Sequence, residues 1–356
     1  MRKLAVISVL LLMILSVGCA GTQKGGDTNI PSQRVDLDPM LVRPGGPAGE
    51  GETIDVNDLF DRAYQNFASR NYEEAVTDYE VIIKYFPDSR FMLPSLYNAG
   101  LSYEKIERWE QAATVYEKII SQFPGSDDTK DAYYRLARAR EALGQHEQVA
   151  DLMTQVLLRS DLTTFDRVEA HVRRANSLAE IGNLEEAADG YRTVLQINKE
   201  APAHDRVAYD SHFIVQTYFG LGRIHHRKVE AIQLVLPPER MGDDLKIKAE
   251  LFLRAQSSYI RALSYHHPQW SMAAGFMIGR LYENFYTDIL GAEIPKDLSA
   301  EAVALYFEEL RKQIRPLMVR AVQVYEKNLS LSKRIGPKAT SNAWVSSKWL
   351  TFPPME

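Results

Sequence analysis

From about residue 55 onward, apolar and small residues recur at spacings of three and four, the period of helices with one buried face. The pattern itself repeats. Asn71-Tyr-Glu-Glu-Ala75 aligns with Arg108-Trp-Glu-Gln-Ala112, Gln145-His-Glu-Gln-Val149 and Asn183-Leu-Glu-Glu-Ala187, in steps of 37, 37 and 38 residues. Twelve positions before each of these last residues stands another small one: Ala63, Gly100, Ala137 and Ala175. Two antiparallel helices joined by a short turn approach closely only where both surfaces are small, so these pairs mark helix crossings. Four positions further on, Tyr79, Tyr116, Met153 and Tyr191 lie one helical turn along and fill the space beside the crossing. Asn71 and Asn183, each with Glu three residues later (Glu74, Glu186), predict N-caps of the capping-box kind. Tyr-Phe-Pro87-Asp-Ser and Gln-Phe-Pro124-Gly-Ser close the first two units, as proline does after a helix stop.

These residues resemble the tetratricopeptide repeat (TPR), with its small–aromatic–Ala–aromatic–Pro pattern. The period near 37 and the Tyr-Phe-Pro-Asp-Ser ending are similar to outer-membrane TPR lipoproteins of the BamD and CpoB/YbgF kind. The resemblance covers 56–160 best and extends to 198. Unit three departs from it with Asp161 in place of the closing proline, and unit four with His171 where a large apolar residue is usual. It implies an all-α, right-handed solenoid of antiparallel helix pairs, with about four repeats over 54–200. Divergent helical repeats and a C-terminal helical cap are expected over 201–335. There the pattern predicts helices at about 205–230, 245–265, 270–290 and 299–334, the middle two forming a hairpin and Pro316 breaking or kinking the last. The final segment, 336–356, gathers Trp344, Val345, Trp349, Leu350 and Phe352 after Gly336-Pro337. It reads as a solenoid cover or as a docking peptide, and it resembles the tails of TPR lipoproteins in deltaproteobacterial gliding and envelope machineries.

The first 53 residues have a different character. Arg2 and Lys3 precede an apolar run, Leu4 to Val17, too short for the roughly 20 residues of a membrane-spanning helix. The run ends in Leu15-Ser16-Val17-Gly18-Cys19, which resembles a bacterial lipobox, although Ser16 stands where leucine is preferred. The resemblance implies that 1–18 are a removed signal peptide and that Cys19 is lipidated. The alternative is an ordinary cleaved signal with an incidental cysteine. Ala20, in place of a retaining Asp, points to the outer membrane, and the body would face the periplasm. Residues 19–53, rich in Gly, Pro, Asp and Thr, read as a flexible tether.

Composition narrows the function. Lys and Arg number 42 against 47 Asp and Glu, a net of −5 that removal of Arg2 and Lys3 takes to −7, which argues against nucleic-acid binding. Cys19 is the only cysteine, which excludes a disulfide scaffold and, once lipidated, a cysteine nucleophile. The pairs His225-His226 and His266-His267 diverge by about 100° on a helix and do not chelate together. HExxH, GxSxG, Walker and GxGxxG motifs are absent from the sequence, and no cofactor, metal or small-molecule substrate is expected.

Function then rests on shape. The TPR resemblance implies a concave groove lined by first helices, at positions 5, 9 and 12 when the small residue is position 8. These are Phe60, Tyr97, Tyr134 and Val172; Tyr64, Leu101, Arg138 and Asn176; and Phe67, Glu104, Glu141 and Ala179. Phe60, Tyr64, Tyr97 and Tyr134 predict an aromatic ladder for an extended peptide or helix. Leu101 lies beside it, Arg138 would take a carboxylate and Glu104 a basic group. The competing reading packs these rings between helices, or fills the groove with the tether or tail. The sequence thus predicts a non-catalytic, lipid-anchored scaffold or assembly factor of an envelope complex. A BamD-type assembly role, a structural lipoprotein of a motility or secretion machine, and a peptidoglycan-remodelling enzyme or its regulator are the alternatives.

Overall fold

In a computed structural model of the chain, residues 40–43, 52–202 and 211–335 are described. Cys19, the signal segment, most of the tether and the aromatic tail lie outside them. The chain divides into units 1–38 and 39–356, and every described residue belongs to the second. A short antiparallel hairpin opens it, β1 (Met40–Arg43) against β2 (Glu52–Asp55), with Met40 opposite Asp55 and Arg43 opposite Glu52. β1 and the first residues of β2 fall within the stretch 19–53 read from sequence as a tether. The second strand runs directly into the first helix, where Asp55 accepts the backbone N–H of Asn57 at 2.7 Å.

Twelve helices follow among the described residues, and they build an all-α solenoid. They are α1 (Val56–Ala68), α2 (Tyr72–Tyr85), α3 (Met92–Lys105), α4 (Trp109–Gln122), α5 (Asp127–Ala142), α6 (His146–Leu157), α7 (Thr164–Glu180), α8 (Leu184–Glu200), α9 (Ser211–Ala231), α10 (Pro238–Ser264), α11 (Pro268–Leu290) and α12 (Ala300–Ile335). Consecutive helices pack together as hairpins, and each hairpin's second helix is covered by the next hairpin's first.

The small-residue register determines the crossings. Ala63, Ala75, Ala112, Ala137, Val149, Ala175 and Ala187 are fully buried, as are Tyr79, Tyr116, Met153 and Tyr191 to within a percent or so. Gly100 shows why the offset holds: a Cβ there would stand 2.6 Å from the Tyr116 ring. Four turns between first and second helices also share one register. Arg70, Glu107, Gly144 and Gly182 all take the left-handed conformation that ends the first helix, although only two of them are glycine.

The expected capping boxes at Asn71 and Asn183 do not form. Following a left-handed residue, these asparagines have ψ near 65°, which turns the side chain away from the helix amides. The box occurs instead at Thr163, with extended ψ of 169°: its hydroxyl accepts from Asp166 N at 3.2 Å while the Asp166 carboxylate accepts from Thr163 N at 2.9 Å. Burial pushes the Asp166 carboxyl up, but Lys130 and these caps together hold it below the usual range.

Beyond residue 200 the repeat continues with longer arms. Ala255 and Tyr259 on α10, and Ala321 and Tyr325 on α12, reproduce the Ala-x-x-x-Tyr spacing of Ala75/Tyr79, Ala112/Tyr116 and Ala187/Tyr191. Their sockets are Gly222 on α9 and Gly279 on α11, where a Cβ would lie 2.6 Å from the Tyr259 ring and 2.4 Å from that of Tyr325. The repeat units are thus α9/α10 and α11/α12, while α10 and α11, the pair predicted from sequence, pack against each other across the boundary between two units. The α10 helix starts at Pro238 and not at 245, because proline suits a first helical turn. Pro316 lies within a continuous α12 and does not break it.

Candidate functional site

The first helices of units one to four carry the predicted groove residues, and the structure sorts them by register. Position 5 lies one turn before the small crossing residue, hence on the same side of the helix. Its residues accordingly pack inward. Phe60 stacks on Phe91 with centroids 4.7 Å apart and meets Tyr79 edge-on at 5.9 Å. Tyr134 is only 9% exposed, and its hydroxyl donates to the Asp166 carbonyl at 2.7 Å. Val172 is fully buried. Tyr97 is half-buried, edge-on to Tyr116 at 6.4 Å, and its hydroxyl donates to Asp131. Burial, with that carboxylate beside it, pushes the Tyr97 phenol up to about 12. The continuous aromatic ladder is therefore not a solvent-facing one.

Position 9 lies one residue past the crossing, about 100° around the helix, and it does face outward. Tyr64 is 55% exposed, Leu101 half-buried, Arg138 exposed and Asn176 half-buried. Asn176 is engaged: its Oδ1 accepts the Tyr191 hydroxyl at 2.6 Å. What remains toward solvent is a stripe of Tyr64, Leu101 and Arg138, one residue from each of α1, α3 and α5.

Below this stripe runs a ladder of ion pairs that the sequence reading missed. Glu104 is buried and already saturated: it accepts the Tyr116 hydroxyl at 2.8 Å and pairs with Arg135 at 3.3 Å and Arg138 at 3.5 Å. It does not wait for a partner's basic side chain. One unit on, Arg173 joins Glu141 of the preceding first helix at 2.7 Å and Glu169 of its own at 2.8 Å. In the next unit Arg223 reaches back to Glu180 at 2.9 Å. Glu104 and Glu141 both stand four residues after the crossing residue, and Arg135 and Arg173 both two before it. That recurrence was the available signal. The pairs that cross between units fasten one first helix to the next from α3 to α9, and Arg138 stands exposed beside them.

The histidines are structural here. His226 is buried between α9, α10 and α11, 3.4 Å from the Tyr259 hydroxyl and 3.2 Å from Asn284 Nδ2, and His267 caps α11. Among the described residues no group of three His, Cys, Asp or Glu side chains is placed to hold a metal ion, and no helix is long and apolar enough to cross a membrane.

The chain is similar in part to known proteins. The family model described as "Tetratricopeptide repeat" matches residues 59–89 and 95–126. No curated protein sequence matches the chain. Among solved structures, a crystal structure of MamA is similar at 14% identity, over 60% of this chain and 96% of that one, with a TM-score of 0.40. YrrB, described as a TPR protein with an unusual peptide-binding site, is similar at 18% identity over 55% and 86%, with a TM-score of 0.37. A kinesin-light-chain protein of Podospora anserina with TPR-like repeats is similar at 16% identity over 55% and 94%, also with a TM-score of 0.37. Residues 59–89 and 95–126 thus carry tetratricopeptide repeats, units whose general role is to mediate protein–protein interactions.

Proposed function

We propose that the protein is a non-catalytic scaffold, anchored through a lipid on Cys19 to the outer membrane, that holds a partner of the cell envelope on the first helices of its first three units. The observation that carries this reading is the stripe Tyr64–Leu101–Arg138. An exposed ring, an aliphatic neighbour and an exposed cation occupy equivalent positions on three successive first helices, α1, α3 and α5, the last two joined by the ion pairs of Glu104. Braced presentation lowers the ordering cost of binding. The partner's chemistry follows: an extended segment with apolar side chains toward Tyr64 and Leu101 and a carboxylate toward Arg138. The lipobox-like Leu15–Cys19 and the polar spacer after it support attachment at a membrane with the body held off the surface.

Site-specific photocrosslinkers at 64 and 101 test the groove in cells, with 158 as the control, since Leu158 is 82% exposed just past the end of a second helix. Partner adducts from 64 and 101, lost on Arg138→Glu and missing at 158, are expected. Equal capture at all three positions, or none at 64 and 101, overturns the reading. The same cells report the anchor: Cys19→Ser should lose palmitate label and leave the membrane fraction, and unchanged fractionation refutes lipidation.

A further inference from the structure

The second helix of every unit presents one residue, three before its tyrosine or methionine, to the following unit. Val76, Ala113, Ala150 and Ala188 occupy this position in units one to four, and all are buried. In unit five it is Gln256, which donates to the Tyr282 hydroxyl of α11 at 2.6 Å. In α12 it is Val322, and Val322 is 47% exposed, with Val319 and Leu305 exposed along the same helix. Among the described residues nothing follows α12, so the face that receives a next first helix stands open.

The sequence after α12 has the matching pattern. Five of the six first helices carry an aromatic three residues before the small crossing residue, Phe60/Ala63, Tyr97/Gly100, Tyr134/Ala137, Phe219/Gly222 and Phe276/Gly279, and the fourth has Val172 before Ala175. Residues 336–356 repeat it once, as Trp344/Ser347, after the turn signal Gly336-Pro337. Reach permits the return. Thirteen helical positions separate Ile335 from Val322, roughly 20 Å of axial rise, while the nine residues from Ile335 to Trp344 span up to about 30 Å. Five residues further on stands Trp349. At helical rise that is about 7.5 Å beyond Trp344, which brings it to the level of Leu317. There α12 has a shallow depression of about 340 Å³ lined by Lys312, Arg315, Pro316, Val319, Arg320 and Gln323. An apolar floor with a cationic rim suits an indole.

We propose that residues 338–351 lie back along α12, extended as far as Trp344 and in the place of a seventh first helix from there, with Trp344 over Val322 and Trp349 in the depression at Pro316. The occupant is the chain's own tail and not a second copy, because a segment joined to α12 through a short linker of nine residues is present at millimolar effective concentration. This contact is separate from the groove of the first three units, and neither reading depends on the other.

A benzoylphenylalanine at position 322 of the full chain, purified and irradiated at micromolar concentration, tests the proposal. An intramolecular adduct mapping to 338–351, on a monomeric band, is expected, and Trp344→Ser with Trp349→Ser should remove most of it. Acrylamide should quench Trp344 and Trp349 weakly in the Trp109→Phe, Trp270→Phe background, and several-fold more strongly once Val322→Asp is introduced. A crosslinked dimer, adducts elsewhere in the chain, or an adduct yield unchanged by the double serine variant overturns it. Should the double variant misfold, quenching of the Val322→Asp protein decides: accessibility equal to that of the parent rules the contact out.

Discussion

At the scale of single residues, side chains that alone break a rule are explained by their neighbours. Glu107 and Arg70 hold a left-handed backbone that glycine holds in units three and four, since the turn geometry is shared. His226 is buried on α9 with Asn284, Tyr259 and Glu230 around it, the last at 3.6 Å, and Lys248 and Arg280 among the nearby charges. Burial outweighs the favourable carboxylate and, with Arg280 and Lys248, holds the imidazole down to about 4. In the unfolded chain it takes its proton near 6.5. The unfolded state therefore binds more protons between those values, so stability is complete above pH 6.5 and falls as pH drops toward 4, by up to about 3 kcal/mol. His171 and His225, also lowered by burial, act with the same sign, while Glu230, raised by burial, acts with the opposite one. Urea midpoints at pH 7.5, 6 and 5 should show His226→Gln less stable at pH 7.5 but with a visibly shallower loss on acidification; a slope equal to the parent's would exclude His226 as the titrating group. Sequence alone showed only a His-His pair on a helix, because burial belongs to the packing of three helices distant in the chain.

At the scale of elements, legibility followed the loops. Where first and second helix are joined by a fixed short turn, the small residues stand twelve apart and the register can be read from the chain. In the fifth and sixth hairpins the turn and helix arms lengthen, so Gly222 meets Tyr259 across a much larger separation and a constant offset finds nothing. The Ala-x-x-x-Tyr spacing survives because it lies within one helix. Caps were misread for a related reason: residue type favours Asn71 and Asn183, but backbone conformation chooses, and only extended residues such as Asp55, Ser126 and Thr163 reach the amides. Thr163 and Asp166 start α7 and also join it to α5 through Lys130 at 2.8 Å. Thr163→Ala should lower stability by about 1 kcal/mol, as loss of an N-cap does. Asn71→Ala, with no cap hydrogen bond to lose from its side chain, should change it by less than about 0.5 kcal/mol. Equal effects in thermal melts would mean that the caps are wrongly placed.

At the scale of the whole described body, stacked repeats touch only their neighbours, and stability is close to a sum of unit and interface contributions. The groove was partly legible because positions 9 of successive units do face outward. It was partly hidden because positions 5 and 12 are recruited to the packing and to the ion-pair ladder, which depends on neighbouring units. One interface is built differently from the others. Between units four and five, Tyr191 enters a socket on α9 where a Cβ at Gly220 would lie 2.2 Å from its ring, and Leu221 and Ile224 close over it. Units five and six have a separate apolar core of their own, from Val215 and Phe252 to Phe285. Gly220→Leu should therefore act as a wedge at this seam, costing about 1–3 kcal/mol or more of interface energy while leaving both cores intact. With coupling weakened, urea unfolding should broaden from one cooperative transition into two. Hydrogen exchange should show α9 to α12 opening separately from α1 to α8. The wild-type protein, with the Tyr191 socket filled, should unfold with its halves coupled. A Gly220→Leu protein that melts in one transition, with all helices exchanging together, would show that the seam is not the weak link and that the ion pairs of Arg223 and Lys228 to Glu180 and Glu185 carry the coupling.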